Sequence, residues 1–171
     1  MACAQTLNGI VRDCYSNAGG LKAVYIANVD DVTAVTLTSG AVSAITMASG
    51  KKFKSYYFKR GQASMTQTAQ FNDAGEYAGE NTVLTLNFLR QDATKRLEMA
   101  ALSVAELYVI VEDNNGNYWF LGYDRPVYRT GGESGSGAAL TDTNKYTIEL
   151  TEVGNELPRS TTESVVSGVI D

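Results

Sequence analysis

The stretch from Thr82 to Tyr123 changes its hydrophobic period twice, and few folds accommodate that. TVLTLNFL (82–89) alternates apolar and polar residues, QDATKRLEMAALSVA (91–105) repeats its apolar residues at helical spacing, and ELYVIVEDNNGNYWFLGY (106–123) returns to a strand pattern around a turn. Strands put successive side chains on opposite faces, whereas a helix brings positions three and four apart together. The stretch therefore predicts strand, helix and hairpin in that order. From Asp92, a residue suited to capping free amides, the stripe Leu97, Ala100, Ala101 and Val104 is expected to face the protein, with Lys95, Arg96 and Glu98 elsewhere. Asn115-Gly116 is a strong hairpin signal because both residue types tolerate positive φ. Asp113, Asn115 and Asn117 also imitate the start of a calcium loop, but Tyr118 and Asp124 stand where that loop needs Gly and Glu.

The rest of the chain reads as strands. Leu21–Asn28 places Val24 and Ile26 on one face and Leu21, Ala23 and Tyr25 on the other, so both faces are expected to be covered at least in part. Val32–Thr38 and Val42–Ala48 flank Ser39-Gly40, and Lys51–Arg60 and Gln62–Phe71 follow turn signals, which predicts an antiparallel meander. Lys145–Val153 alternates Tyr146, Ile148 and Leu150 with Lys145, Thr147 and Glu149, the pattern of a strand with one wet face. The expected fold is mainly β, an antiparallel β-sandwich or barrel with one flanking α-helix. A chain of 171 residues with 44% hydrophobic content suits one domain: an arm over 1–20, a core over 21–153 and a second arm over 154–171.

Chemistry-bearing groups are sparse. The chain has no histidine, which removes every Ser-His and Cys-His arrangement. Cys3 and Cys14 cannot complete a four-ligand zinc site within one chain, so they read as reduced thiols, with a disulfide or a site shared between subunits as alternatives. No cofactor is expected. The carboxylate pairs Asp30-Asp31, Glu76 with Glu80, and Glu112-Asp113 are poor glycosidase candidates, since neighbours on a strand point apart and loop carboxylates are ordinarily solvated. GGESGSG lacks the Gly-Lys-Ser/Thr ending of a phosphate loop. The apolar runs are shorter than the roughly 20 residues of a membrane span, and the first residues lack the pattern of a secretory signal, so synthesis and retention in a cytoplasm is the expectation.

Two polar, glycine-rich segments, 72–81 and 129–144, are too long for simple strand connections, and the tail after Pro158 reads either as a loose end or as an arm that docks on a neighbour. The basic run KKFKSYYFKR interleaves Lys51, Lys52, Lys54, Lys59 and Arg60 with aromatic residues. Three readings compete: a platform for single-stranded nucleic acid, an edge strand protected by lysine, and a cationic surface for the acidic segment around Glu76, Tyr77 and Glu80 of an adjacent subunit. A formal net charge of −5 favours the last two.

The order of strands before one helix, the segments GGLKAVYIAN and YYFKRGQASMTQTAQFNDAGEYAGENTVLTLNF, and LYVIVEDNNGNYWFLG after the helix resemble tail-tube-type virion proteins of bacteriophages, particularly those of Bacteroides-like hosts, over residues 19–153. Such proteins and their relatives in contractile injection systems form a β-sandwich or barrel with a flanking helix and stack as hexameric rings. The resemblance implies a non-enzymatic subunit of a virion tail, made in a bacterial host, that assembles with itself and with other tail or neck proteins around passing DNA. It implies that 72–81, 129–144 with Arg129 and Glu133, and the terminal arms make contacts between subunits or rings. A negative wall would let DNA slide without sticking. Neck or connector rings and capsid-associated proteins fit the same composition. From another class, a carbohydrate-binding β-sandwich would use Tyr118, Trp119 and Tyr123, although alternation separates Tyr118 from Trp119.

Overall fold

The computed structural model describes Leu7, residues 9–12 and residues 17–171. Cys3 and Cys14 lie outside the described residues. Among the described residues, eleven strands and two α-helices are arranged in three layers. The central layer is a five-stranded sheet ordered β11 (Arg159–Thr161), β8 (Tyr118–Leu121), β7 (Leu107–Asp113), β1 (Leu21–Asn28) and β4 (Lys54–Tyr57). On one side lies a four-stranded sheet ordered β5 (Ala63–Phe71), β6 (Tyr77–Leu89), β10 (Lys145–Gly154) and β9 (Tyr128–Gly135). The hairpin of β2 (Val32–Thr38) and β3 (Ala41–Met47) lies on the other side. All the paired strands of these sheets are antiparallel, so the mainly β sandwich with a flanking helix is the fold.

Two apolar cores result from this layering. Val24, Ile26, Val109, Val111 and Leu121 of the central sheet meet Leu84, Leu86, Ile148 and Leu150 of the four-stranded sheet. Ala23, Tyr25, Ile110 and Phe120 point the other way, onto Val42 and Ile45 of the hairpin and Val166 and Val169 of a short helix, α2 (Glu163–Val169). β1 and β7 are therefore buried on both faces, which is why LKAVYIAN and LYVIVE carry apolar residues at nearly every position. Leu21 departs from its expected face. The pairing of β1 with β7 shifts register between Leu21 and Ala23, and the bulge turns Leu21 into the first core beside Val24.

The predicted meander does not form. Of its four strands only β2 and β3 pair, as a separate two-stranded sheet, while β4 pairs with β1 and β5 with β6. The β2–β3 turn is as expected: Ser39 and Gly40 both adopt positive φ, which twists the hairpin in the sense the strands require. The β7–β8 hairpin also forms, with a different turn. Only Gly116 takes positive φ, and the Asp113 carboxylate accepts hydrogen bonds from the amides of Asn115 (2.8 Å) and Asn117 (2.9 Å).

Helix α1 (Ala93–Leu102) begins where Asp92 accepts the Lys95 amide at 2.8 Å, as the capping residue predicted. Its buried face is not the expected one. Met99 and Leu102 enter the first core, while Leu97 and Val104 face solvent. A second helix, α2, was not anticipated. Residues 154–171, read from the sequence as an arm, carry β11 against β8 and α2 against the second core, and Phe53 bridges to Ile170. The tail belongs to the body of the fold because Val165, Val166 and Val169 seal one face of the central sheet.

Candidate assembly surfaces

The basic run contributes only a short strand, β4, at one edge of the central sheet, with Phe53 buried before it. Its cations are largely used within the chain. Lys51 pairs with Asp31 at 3.0 Å, Lys54 with Asp171 at 2.8 Å, and Lys52 Nζ donates to the Gly168 carbonyl at 3.2 Å. Their partners hold the Asp31 and Asp171 carboxyls below the usual carboxylate range, foremost through the hydrogen bonds from Lys51 and Lys54. Lys59 and Arg60 sit in the exposed turn that leads to β5, which the Lys59 carbonyl closes by accepting the Gln62 amide. The lysines thus tie the edge strand to the C-terminal residues and to the turn after β1.

The expected acidic partner is also rearranged. The segment 72–81 is a loop only over 72–76: the Asn72 side chain accepts the Ala74 and Glu76 amides and donates to Glu76 Oε2 at 3.1 Å. Tyr77 and Glu80 belong to β6, where Glu80 is buried and accepts from the Tyr77 hydroxyl at 3.2 Å. The sequence missed this because Gly79, at φ +133, hides a strand inside a glycine-rich stretch. A Cβ there would lie 2.4 Å from the Gly154 carbonyl oxygen, so close strand approach requires glycine.

Segment 129–144 changes in the same way. Its first seven residues form β9, and only 136–144 connect to β10. Gly132 permits the pairing: at φ +128, a Cβ would meet the Thr147 carbonyl oxygen at 2.2 Å. Arg129 is an internal tie. Its guanidinium donates to the Met99 carbonyl at 3.1 Å and to Ser103 Oγ at 2.6 Å, fastening the end of α1 to the sheet. Glu133 is exposed opposite Thr147 on β10.

These corrections leave three surfaces of a different kind. The four-stranded sheet ends in two open edges, β5 and β9, each carrying unpaired backbone groups along most of its length. Its outer face, which alternates with the buried Leu84, Leu86, Ile148 and Leu150, presents Thr66, Thr68, Val83, Thr85 and Thr147 together with the charged Lys145, Glu149 and Glu133. Beyond the body, the distal part of β5–β6 projects as a two-stranded arm in which every residue from Gln67 to Ala78 is exposed. Phe71 and Tyr77 stack edge-to-face at its tip, with ring centres 6.2 Å apart.

The end of the sandwich near that arm holds a buried polar group. Glu152, 4% exposed, accepts the Gly122 amide through Oε1 at 2.9 Å, while Oε2 and the hydroxyl of its cross-strand neighbour Thr82 have no partner among the described residues. Burial, together with the nearby Glu156 and Asp124 carboxylates, pushes the Glu152 carboxyl up to about 7 against the opposing effect of the Gly122 hydrogen bond. No grouping of three metal-ligating side chains occurs among the described residues. Glu112, also buried, takes Tyr25 Oη at 3.0 Å and the Lys22 ammonium, an ion pair that staples β1 to β7. The aromatic platform for a sugar is divided: Trp119 packs on the first core and Tyr118 on the second, while the Tyr123 ring lies under the Arg159 guanidinium at 4.7 Å. No helix of the described residues is long and apolar enough to cross a membrane. No protein-family model matches the chain, and neither does any curated protein or solved structure compared with it.

Proposed function

We propose that the chain is a non-enzymatic structural subunit that assembles with itself into rings which stack as a tube, of the kind found in phage tails. The observation that carries this reading is the pair of open edges, β5 and β9, on opposite sides of one sheet. Pairing β5 of one copy with β9 of the next is a head-to-tail contact that repeats, and such a contact closes into a ring when its rotation permits. Closure would leave a barrel without free edges, which removes the hazard that an exposed strand otherwise presents.

Two further features support the same arrangement. The outer sheet face would line the lumen mainly with threonine and asparagine side chains, among which the Glu149 and Glu133 carboxylates would repel DNA phosphates while Lys145 is held to Asn87 Oδ1 at 3.1 Å. The β5–β6 arm, a two-stranded ribbon that is marginal in isolation, would gain a packing partner in an adjacent ring through Phe71 and Tyr77. Negative-stain microscopy of the purified chain tests the proposal. Rings or tubes that lengthen with concentration are expected, and a chain that remains monomeric at high concentration overturns it. Single rings that never stack would move the reading to a neck or connector ring.

A further inference from the structure

The apolar stripe predicted for α1 exists, yet it faces away from the core. Leu97 and Val104 are 67% and 87% exposed, on one side of the helix and its terminal turn. N-terminal to β1 the chain carries a second unpartnered apolar set: Leu7, Ile10 and Val11 are 92%, 99% and 86% exposed. Each is a small surface that water disfavours, and neither has a partner within the chain among the described residues.

We infer that residues 7–12 of one copy dock along the outer face of α1 of a neighbouring copy, with Arg12 entering the acidic recess beside Val104. The dimensions agree. Leu97 and Val104 lie about 10 Å apart along a helix, and an extended chain places Leu7 about 10 to 13 Å from Ile10 and Val11. One residue beyond Val11, Arg12 would reach a recess of about 400 Å³ lined by Val104, Ala105, Asp30, Asp31 and Glu106. Asp31 already holds Lys51 at 3.0 Å, and the other two carboxylates of the recess, Asp30 and Glu106, complement the Arg12 guanidinium and give the contact a direction.

Chain length favours a second copy over docking within one chain. The arm is fastened at Asn17–Gly19, where Asn115 accepts the Ala18 amide at 2.8 Å and Asn114 donates to the Gly19 carbonyl at 2.8 Å. That anchor lies at the Leu21 end of β1, and the recess lies past Asn28, the other end of the same strand. The strand spans about 23 Å. The six residues from Ala18 back to Arg12 reach at most about 22 Å, and only along a straight path. Both faces of that sheet are already occupied, so the arm would have to detour.

The inference rests on the self-assembly proposed above, and charge exchange tests the two separately. Sedimentation velocity would be run on the full chain, on Val104→Asp, on Arg12→Asp, on Asp30→Arg, and on an equimolar mixture of the last two. Val104→Asp and Arg12→Asp should each weaken self-association at least tenfold with an unchanged unfolding midpoint. The mixture should associate more tightly than either charge variant alone, because the altered arm of one meets the altered recess of the other. Association of all variants at wild-type strength overturns the arm contact and leaves the ring reading standing. A mixture no tighter than its components overturns docking between copies, and a wild-type chain that stays monomeric removes both proposals.

Discussion

The two larger sheets of this protein are built from similar strands and treated in opposite ways. The central sheet is covered on both faces, by the four-stranded sheet on one side and by the β2–β3 hairpin with α2 on the other. The four-stranded sheet is covered on one face, and both of its edges are open. The first is where the chain holds itself together, and the second is where it has surface to offer a partner. Ion pairs follow the same division: Lys22 with Glu112, Lys51 with Asp31 and Lys54 with Asp171 all secure the central sheet, whereas Lys145, Glu149 and Glu133 stand among threonine and asparagine on the outer face of the other. Ion pairs secure the central sheet, and the β5 edge of the other carries no charged side chain.

The contrast can be broken most sharply in the cores. Ile110→Ala, in a strand enclosed on both faces, should cost about 2–5 kcal/mol in denaturant unfolding, while Thr85→Ala on the open face should stay within about 0.5 kcal/mol. A loss at Thr85 equal to that at Ile110 would mean that the outer face is covered after all. Gly132→Ala comes next. With a carbonyl oxygen at 2.2 Å from the new Cβ and a left-handed backbone, it should cost roughly 1–3 kcal/mol and release β9 from β10. Amide exchange would show that loss of protection locally, and unchanged protection would contradict the tight approach.

Glu152 sharpens the comparison through pH. Its folded carboxyl, at about 7, lies above its unfolded value, so the folded chain binds a proton that the unfolded chain releases between those two values. Stability from this group is therefore full at acid pH and falls as pH rises through about 7. Glu152→Gln should flatten that part of the profile, measured by thermal unfolding from pH 5 to 8, and a slope unchanged in the variant would assign it to other groups. The smallest effects belong to the surface pairs. Lys54→Ala should leave the unfolding midpoint nearly unchanged because both partners are well exposed, and Phe71→Ser should do the same while weakening assembly.

The sequence was most legible where the period was long and the constraint local. Strands β1, β7, β8 and β10, the start of α1 and both short hairpins follow from alternation, the Asp92 cap and glycine-containing turns. Face assignments fared worse when the decisive contact was distant. The stripe Leu97, Ala100, Ala101 and Val104 is a sound helical pattern, yet Met99 and Leu102 are the residues that the sheet selects. β9 and the first half of β6 were hidden because Gly79 and Gly132 serve close strand approach, and glycine reads as loop when the neighbouring strand is unknown. The lysines at and before β4 were legible as an edge device, but Asp31 and Asp171, the partners of Lys51 and Lys54, come from distant parts of the chain. Buried Glu152 gave no signal, since its position in an alternating strand marks it as inward without saying what it meets.

Amide hydrogen exchange on the chain before and after assembly tests the role of the two open edges most directly. Slowed exchange in β5, β9 and the Phe71–Tyr77 tip, with the central sheet unchanged, is the expected result. Assemblies in which both edges exchange as fast as in the monomer would contradict it.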